Sequence, residues 1–416
     1  MQNGRSARKV IAVASLDPWI DALHGKSVLS LLINLAVSCN SHILLFISSR
    51  LPTKKISLNT ISVYRIGLDP NIPLISYVKY LLIALRHLLR IKLDLMIIDL
   101  PSLPLYLVYR YLMRRKILRP LIMILSRPVN IVGLRGFLQL VYFRFLLFIG
   151  TRIAWKITAI SPYETLEFSR WSGSNINRFI VLPSILGNIF ENSNLLRLDS
   201  KELRKMREEI SNNIPDESII FLYYGALDAS RGVVELTKMF IRYTCNESNK
   251  KHNMYLVLIG EGDASKHILE ITQQNKCKNV IFLGRQPYHK MPYYIVASDV
   301  VFVAFPFSMD WMYQVPTKLL EAMALGKVII VTTQPGIMWT LSDYPYVCKM
   351  RRFTYEEFSR AMNCALEVLR QKKLKSVDDI IQVIERTVYS RFSAHELAKK
   401  LCKLIRTYIE NSSYEI

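Results

Sequence analysis

Short apolar runs bounded by polar turns alternate with longer helix-like stretches through this chain. That alternation narrows its possible folds more than any other feature. In the first half the runs fall at residues 10–14, 43–47, 95–98, 121–125, 157–160 and 180–182, with helical stretches at 26–37, 74–90 and 103–114 between them. In the second half they fall at 219–224, 255–259, 280–283, 300–305 and 328–331, and after Arg351 the pattern is helical to the end. Runs without polar alternation suit strands covered on both faces. Strand and helix taking turns predicts parallel sheets and an α/β fold. A polar, charged stretch at 187–216 interrupts the rhythm and reads as a passage between domains. With 416 residues and half of them apolar, the chain can bury two cores. The expected division is 1–186, 187–391, and a closing helix, 392–416, packed back on the first domain. No repeat at solenoid spacing and no low-complexity tract competes with this reading.

The charge is strongly basic, +22 overall, and uneven. Residues 1–190 hold 24 of the Lys and Arg against 7 acids, whereas residues 191–416 hold 31 against 26. A basic excess confined to one half implies a partner confined to that half. The basic residues interleave with large apolar ones at 77–92, 106–119 and 137–152. No base-reading motif accompanies them, and the segments are too apolar for a solvated nucleic-acid face. An anionic membrane surface fits them, with the apolar side chains as core fringed by arginine as the plainer alternative. The longest stretch without Lys, Arg, Asp or Glu, 27–49, carries Asn34, Asn40, Ser41 and His42, so a helix, turn and strand suit it better than a membrane span. Six scattered cysteines without a C-x-x-C pair read as reduced core thiols, with no metal framework. The polar, basic opening carries no secretory signal, so a cytoplasmic chain is expected, peripheral at the inner face of the cell membrane.

The most informative local segment is PTKLLEAMALGKVIIV, residues 316–331. Pro316 suits a helix start, leaving the N–H groups of Thr317, Lys318 and Leu319 as a cradle for phosphate. Lys318 and Glu321 lie three apart and share a helical face. An ammonium for a diphosphate thus sits beside a carboxylate that accepts from neighbouring sugar hydroxyls. On these residues alone, ordinary helix-start stabilisation accounts for the pattern equally well.

The segment resembles the signature helix of GT-B glycosyltransferases in the broad family 4 group (glycosyl transferases group 1), with its Pro-x-Lys-x-x-Glu run. The resemblance implies two Rossmann-like doubly wound domains facing across a cleft, and assigns Glu321 to the donor's ribose. It extends along most of the chain in order. AISPYETLEF at 159–168 and VLPSILGNIF at 181–190 are similar to the family's segments before the inter-domain passage, and FSAHELAKKL at 392–401 to its closing helix. YYGALDASRGVVEL at 223–236 is similar to the loop whose two basic residues hold donor phosphates. Gly225 and Arg231 match it, and Ala226 replaces the first base. LVLIGEGD at 256–263 supplies Gly260 and Gly262 for a close nucleotide approach. The Phe-Leu-Gly turn brings the main chains of Arg285 and Gln286 to the base. Eight positions before Glu321 stands Tyr313 where retaining relatives carry a first glutamate, and Asp310 is the nearby candidate acid.

For the acceptor side the resemblance points to Asp17 and His24 as candidate catalytic residues on the loop after the first strand. Arg127 is the candidate acceptor-phosphate ligand, where many relatives have a catalytic His. The implied activity is that of a hexosyltransferase-type glycosyltransferase, moving a sugar from a nucleotide-diphosphate sugar to a lipid-linked or surface-glycan acceptor. Retention of configuration follows from the resemblance alone. With no Asp-x-Asp in the chain, a metal-independent reaction is expected, the diphosphate being stabilised by Arg231, Lys318 and helix-terminal amides. No cofactor is expected beyond the donor substrate, and no nucleic acid partner. The alternative is a degenerate GT-B subunit that binds without catalysis, suggested by Ala226, Tyr313 and Arg127.

Overall fold

A computed structural model describes residues 9–15, 23–49, 54–58, 60–67, 73–113, 118–124, 133–191, 193–210, 214–215, 217–245, 253–274, 278–308 and 311–413. The chain divides into two compact units, one formed by Met1–Ile185 with Ala394–Ile416, the other by Leu186–Ser393.

The first unit opens with β1 (Lys9–Ser15), α1 (Leu23–Ser38), β2 (Ser41–Ser49), β3 (Lys54–Leu58) and β4 (Ile61–Gly67). It continues through α2 (Pro73–Leu88), β5 (Leu95–Ile98), α3 (Leu103–Met113) and β6 (Leu121–Ile122), then α4 (Gly133–Ile153), β7 (Lys156–Ala159), α5 (Pro162–Ser172) and β8 (Phe179–Val181). Its eight strands run in the order β3-β4-β2-β1-β5-β6-β7-β8. All neighbours are parallel except β3 and β4. That antiparallel edge pair was not anticipated from the sequence. Its outer strand begins with Lys54 and Lys55, both exposed, as suits a sheet margin. Within the sheet, Ser15 donates to Asp99 at 2.8 Å, and Asp99 in turn accepts from the Ser102 amide at 2.9 Å, locking the end of β1 to the turn after β5.

The second unit carries α6 (Ser200–Ile210), β9 (Ile219–Tyr224), α7 (Val233–Thr244), β10 (Met254–Ile259), α8 (Ser265–Gln274), β11 (Val280–Gly284), α9 (Met291–Ala297) and β12 (Val300–Val303). There follow α10 (Thr317–Ala324), β13 (Val328–Thr332), α11 (Pro335–Leu341), β14 (Val347–Met350), α12 (Tyr355–Lys373), α13 (Val377–Ile384) and the short α14 (Ser390–Phe392). A final helix, α15 (Ala394–Ser413), belongs to the first unit. The second sheet is wholly parallel, in the order β11-β10-β9-β12-β13-β14.

The polar stretch read as a passage contains α6. Its Arg207 grips the Asp299 carboxylate with contacts of 3.0 and 2.9 Å and also donates to the carbonyls of Ala297 and Ser218. Its charge therefore marks a helix tied to β12's entry, not a bare linker. Packed on α1, α15 is joined to it by a disulfide between Cys39 and Cys402. Cys348 and Cys364 form another between β14 and α12. Reduced thiols had been expected. The fold brings these Cα pairs to 5.5 and 5.9 Å, a separation that permits bridging and that sequence spacing does not reveal.

Candidate functional site

In an open parallel sheet, ligands bind beyond the carboxyl ends of strands where the strand order reverses. In the second sheet that point lies between β9 and β12, whose neighbours run down the sequence on one side and up it on the other. The residues gathered there are Tyr223, Tyr224 and Gly225 at the end of β9, Phe305 beyond β12, and the first turn of α10.

Helix α10 is short because its sequence stops it. Lys327 N–H reaches back to the Ala322 carbonyl and Gly326 N–H to that of Met323, with Gly326 left-handed at φ +62°. This is a Schellman termination. From Lys318 to Ala324 every residue is buried, so the small residues of the segment serve close packing. At its start the expected amide cradle is incomplete: Leu319 N–H donates to the Pro316 carbonyl at 3.0 Å and is not left free.

Lys318 and Glu321 do share a face, and that face is turned inward, with 8% and 5% of each residue exposed. Glu321 accepts from the Tyr224 hydroxyl at 2.7 Å and from the Tyr288 hydroxyl at 3.2 Å. Burial pushes its carboxyl up to about 7, against the pull of those hydrogen bonds and of Lys318. The Lys318 ammonium sits 3.9 Å from the ring centre of Tyr223 and 4.6 Å from that of Phe305. Burial, and then repulsion from Arg231, hold it well below the usual lysine range, while Glu321 opposes.

A second cation completes the group. Arg231 pairs with Asp228 at 3.1 Å and lies 4.7 Å from the centre of Trp311, which stacks on Phe305 at 5.3 Å. Arginine, two rings and lysine thus form one column, in which each charge is balanced in part by a ring face. Asp228 pairs with Arg231, and Glu321 is the acid that acts on Lys318. Beneath the column, the buried amide of Gln334 donates to the carbonyls of Phe305 and Pro306 at 3.0 and 3.3 Å. Its Oε1 has no hydrogen-bond partner among the described residues.

The glycine turns differ from their expected role. A Cβ on Gly260, at φ +143°, would stand 1.8 Å from the Gly225 carbonyl oxygen, and one on Gly262 2.4 Å from that of Leu227. These glycines admit the neighbouring loop. Hydrogen bonds stitch that contact: Leu227 N–H to Glu261, Ala264 N–H to Leu227, and Ala229 N–H to the Asp263 carboxylate. Gly225 itself, at φ +112°, is exposed with open space where a Cβ would be.

Arg285 reaches the Glu261 carboxylate at 2.8 Å, both well exposed. Gln286 donates to the Leu283 carbonyl and accepts from Tyr294. Thr317 begins α10 and is half-buried. Asp17, Arg127 and Asp310 lie outside the described residues, and for His24, in α1, only the backbone is described. Tyr223, Tyr224, Tyr288, Trp311 and Gln334 were not singled out from the sequence. The aromatic pair preceding Gly225 was the one signal that could have found two of them.

Residues 205–381 match the family described as Glycosyl transferases group 1. No curated protein sequence matches. Among solved structures, sucrose-phosphate synthase from Thermosynechococcus elongatus is similar with TM-score 0.73 and 16% identity, over 97% of this chain and 100% of that one. HepE from Anabaena, in complex with UDP, gives 0.63 and 14%, over 96% and 100%. WaaG, a glycosyltransferase involved in lipopolysaccharide biosynthesis, gives 0.62 and 14%, over 95% and 99%. The protein has the GT-B glycosyltransferase fold, and its second unit carries the match to the glycosyl transferases group 1.

Proposed function

We propose that the protein is a glycosyltransferase that takes a sugar from a nucleotide-diphosphate sugar, gripping the donor with its second unit. The observation that carries this is the column Arg231–Trp311–Phe305–Lys318 beside Glu321 at the strand-order reversal. As the glycosidic bond breaks, negative charge builds on the leaving diphosphate. Lys318, whose burial penalises an uncompensated ammonium, is best satisfied when that charge is present. Arg231 adds a second cation, and Glu321 offers its carboxylate to ribose hydroxyls. HepE, bound to UDP, and the sugar-transferring neighbours support this donor class. Metal-independent transfer with retention, to a lipid-linked or surface-glycan acceptor, is the finer part of the proposal.

Action at an anionic membrane surface is part of this proposal, and the helices of the first unit support it. Helices α2, α3 and α4 contain no acidic residue. Leu134, Phe137, Tyr142 and Phe145 on α4 and Ile75 and Leu82 on α2 are exposed. Arg144 and Arg152 lie over the rings of Trp171 and Phe148. Gly136–Ile153 is long and apolar enough to cross a bilayer. However, Phe143, Leu146 and Leu147 pack into the unit's core, which favours lying on the surface over crossing it.

A panel of nucleotide-sugars read by thermal shift, then a transfer assay with the one that binds, tests the donor reading. Lys318→Ala should abolish the shift and turnover; an unchanged shift would refute the assignment. The second reading, a binding subunit without catalysis, is favoured by Ala226 and by tyrosine hydroxyls already filling Glu321. Donor binding with no transfer or hydrolysis would select it.

A further inference from the structure

Both oxygens of the Glu321 carboxylate are already held by the protein, and the two tyrosines that hold them are built differently. Tyr224 is buried at the end of β9; its hydroxyl lies 2.7 Å from Glu321 Oε2 and 3.1 Å from the Lys318 carbonyl. Packed sheet surrounds it, so its ring has nowhere to go. Tyr288 is half-buried, stands at the head of a three-residue turn, Tyr288–Lys290, and follows Pro287 in the loop beyond β11. Its ring meets Phe190 edge-on at 5.7 Å, and its hydroxyl reaches Glu321 Oε1 at the longer distance of 3.2 Å. Tyr288 packs on the edge of the core from a short turn and is only partly buried, so its ring is less enclosed than that of Tyr224, which ends a central strand.

We propose that Tyr288 is a displaceable stopper in the donor site: its hydroxyl occupies the carboxylate oxygen that a nucleotide's ribose hydroxyl would take, and the phenol must swing off before the ribose seats. Tyr224 stays in place, holding the other oxygen and aiming the carboxylate. The proposal rests on the nucleotide-sugar reading of this site. Its physical content is a competition for the approach to one acceptor oxygen, whose lone pairs could themselves take more than one donor. The binding-competent state is the one with Oε1 uncovered, and apparent affinity is reduced by the fraction of molecules in that state. The raised carboxyl of Glu321 agrees with a group that is kept dry while the stopper is in place.

Replacing Tyr288 by Phe keeps the ring and removes the competing hydroxyl. Hydrogen bonds to charged groups are among the stronger ones, so the gain should be about tenfold in affinity. Titration calorimetry on the full chain with UDP, ADP and GDP identifies the nucleotide bound most tightly. Its 2′,3′-dideoxy counterpart then serves as the control. Tyr288→Phe should tighten the ribonucleotide about tenfold and leave the dideoxy nucleotide unchanged. Tyr224→Phe should weaken the ribonucleotide, because the carboxylate loses the donor that orients it. An equal gain for both nucleotides in Tyr288→Phe, no gain, or tightening by Tyr224→Phe would overturn the stopper while leaving nucleotide binding intact. If none of the three nucleotides binds wild type or Tyr288→Phe, the nucleotide reading itself is lost, and the stopper with it.

Discussion

Helices α12 and α4 both flank a parallel sheet, yet they present opposite surfaces to solvent. In the second unit α12 buries Phe358, Ala361, Met362 and Ala365 and exposes Glu356, Arg360, Glu367 and Arg370. In the first unit α4 buries Phe143, Leu146 and Leu147 and exposes Leu134, Phe137, Val141 and Phe145. The architecture is the same, so the fold does not require an apolar exterior. The apolar exterior of α4 is therefore extra to what packing its own core needs, whereas the second unit's surface helix is polar and its loops interlock at glycine contacts.

The largest effect should come from breaking that interlock. Gly260→Ala forces a Cβ onto the Gly225 carbonyl in a backbone region that disfavours L side chains. Strain and overpacking together should cost about 4 kcal/mol, read as a fall in the second unit's unfolding midpoint in denaturant. A wild-type midpoint would show that the loops part freely.

Next comes the buried carboxyl. With its value raised in the folded state from 4.5 to about 7, Glu321 binds its proton more tightly folded than unfolded. Its contribution to stability is full below pH 4.5 and is lost as pH rises through about 7. That loss amounts to about 3 kcal/mol, and Glu321→Gln should remove it, flattening the stability profile over this window. Parallel profiles for the two proteins would mean that the carboxyl is solvated.

The first unit supplies the contrasting case. Leu134→Glu with Phe145→Glu should leave the unfolding midpoint near wild type and cut flotation with anionic vesicles by about tenfold or more. Equal flotation of wild type with neutral and anionic vesicles would remove the electrostatic part of that surface. The smallest effect is expected at the rim of the second unit. Arg285 and Glu261 are 75% and 64% exposed, so Arg285→Ala should shift stability by no more than about 0.5 kcal/mol.

Much of the scaffold was legible beforehand. Among the described residues, ten of the fourteen strands lie within a residue or two of the apolar runs, and β6 is a truncated version of another, because burial on both faces writes itself as an unbroken apolar stretch. The pair β3–β4 was missed: KKISL and ISVYRIG are short, partly polar edge segments without that mark. β14 was missed for a similar reason, since Lys349 interrupts it. In the site, Lys318, Glu321 and Arg231 converge with Gly225, but the glycines of the β10 turn answer to a neighbouring backbone. Spacing alone could not distinguish a ligand's approach from a loop's.

Residues a few positions apart were enough to set where most strands and helices form, where α10 ends, and that an ammonium and a carboxylate share one of its faces. That this face turns inward, and which groups meet the carboxylate, depends on contacts distant in sequence. Tyr224 lies 97 positions from Glu321 and Tyr288 lies 33, and no periodicity links residues at such separations. Their meeting follows from strand order, which brings the ends of β9 and β11 and the start of α10 to the same edge of one sheet.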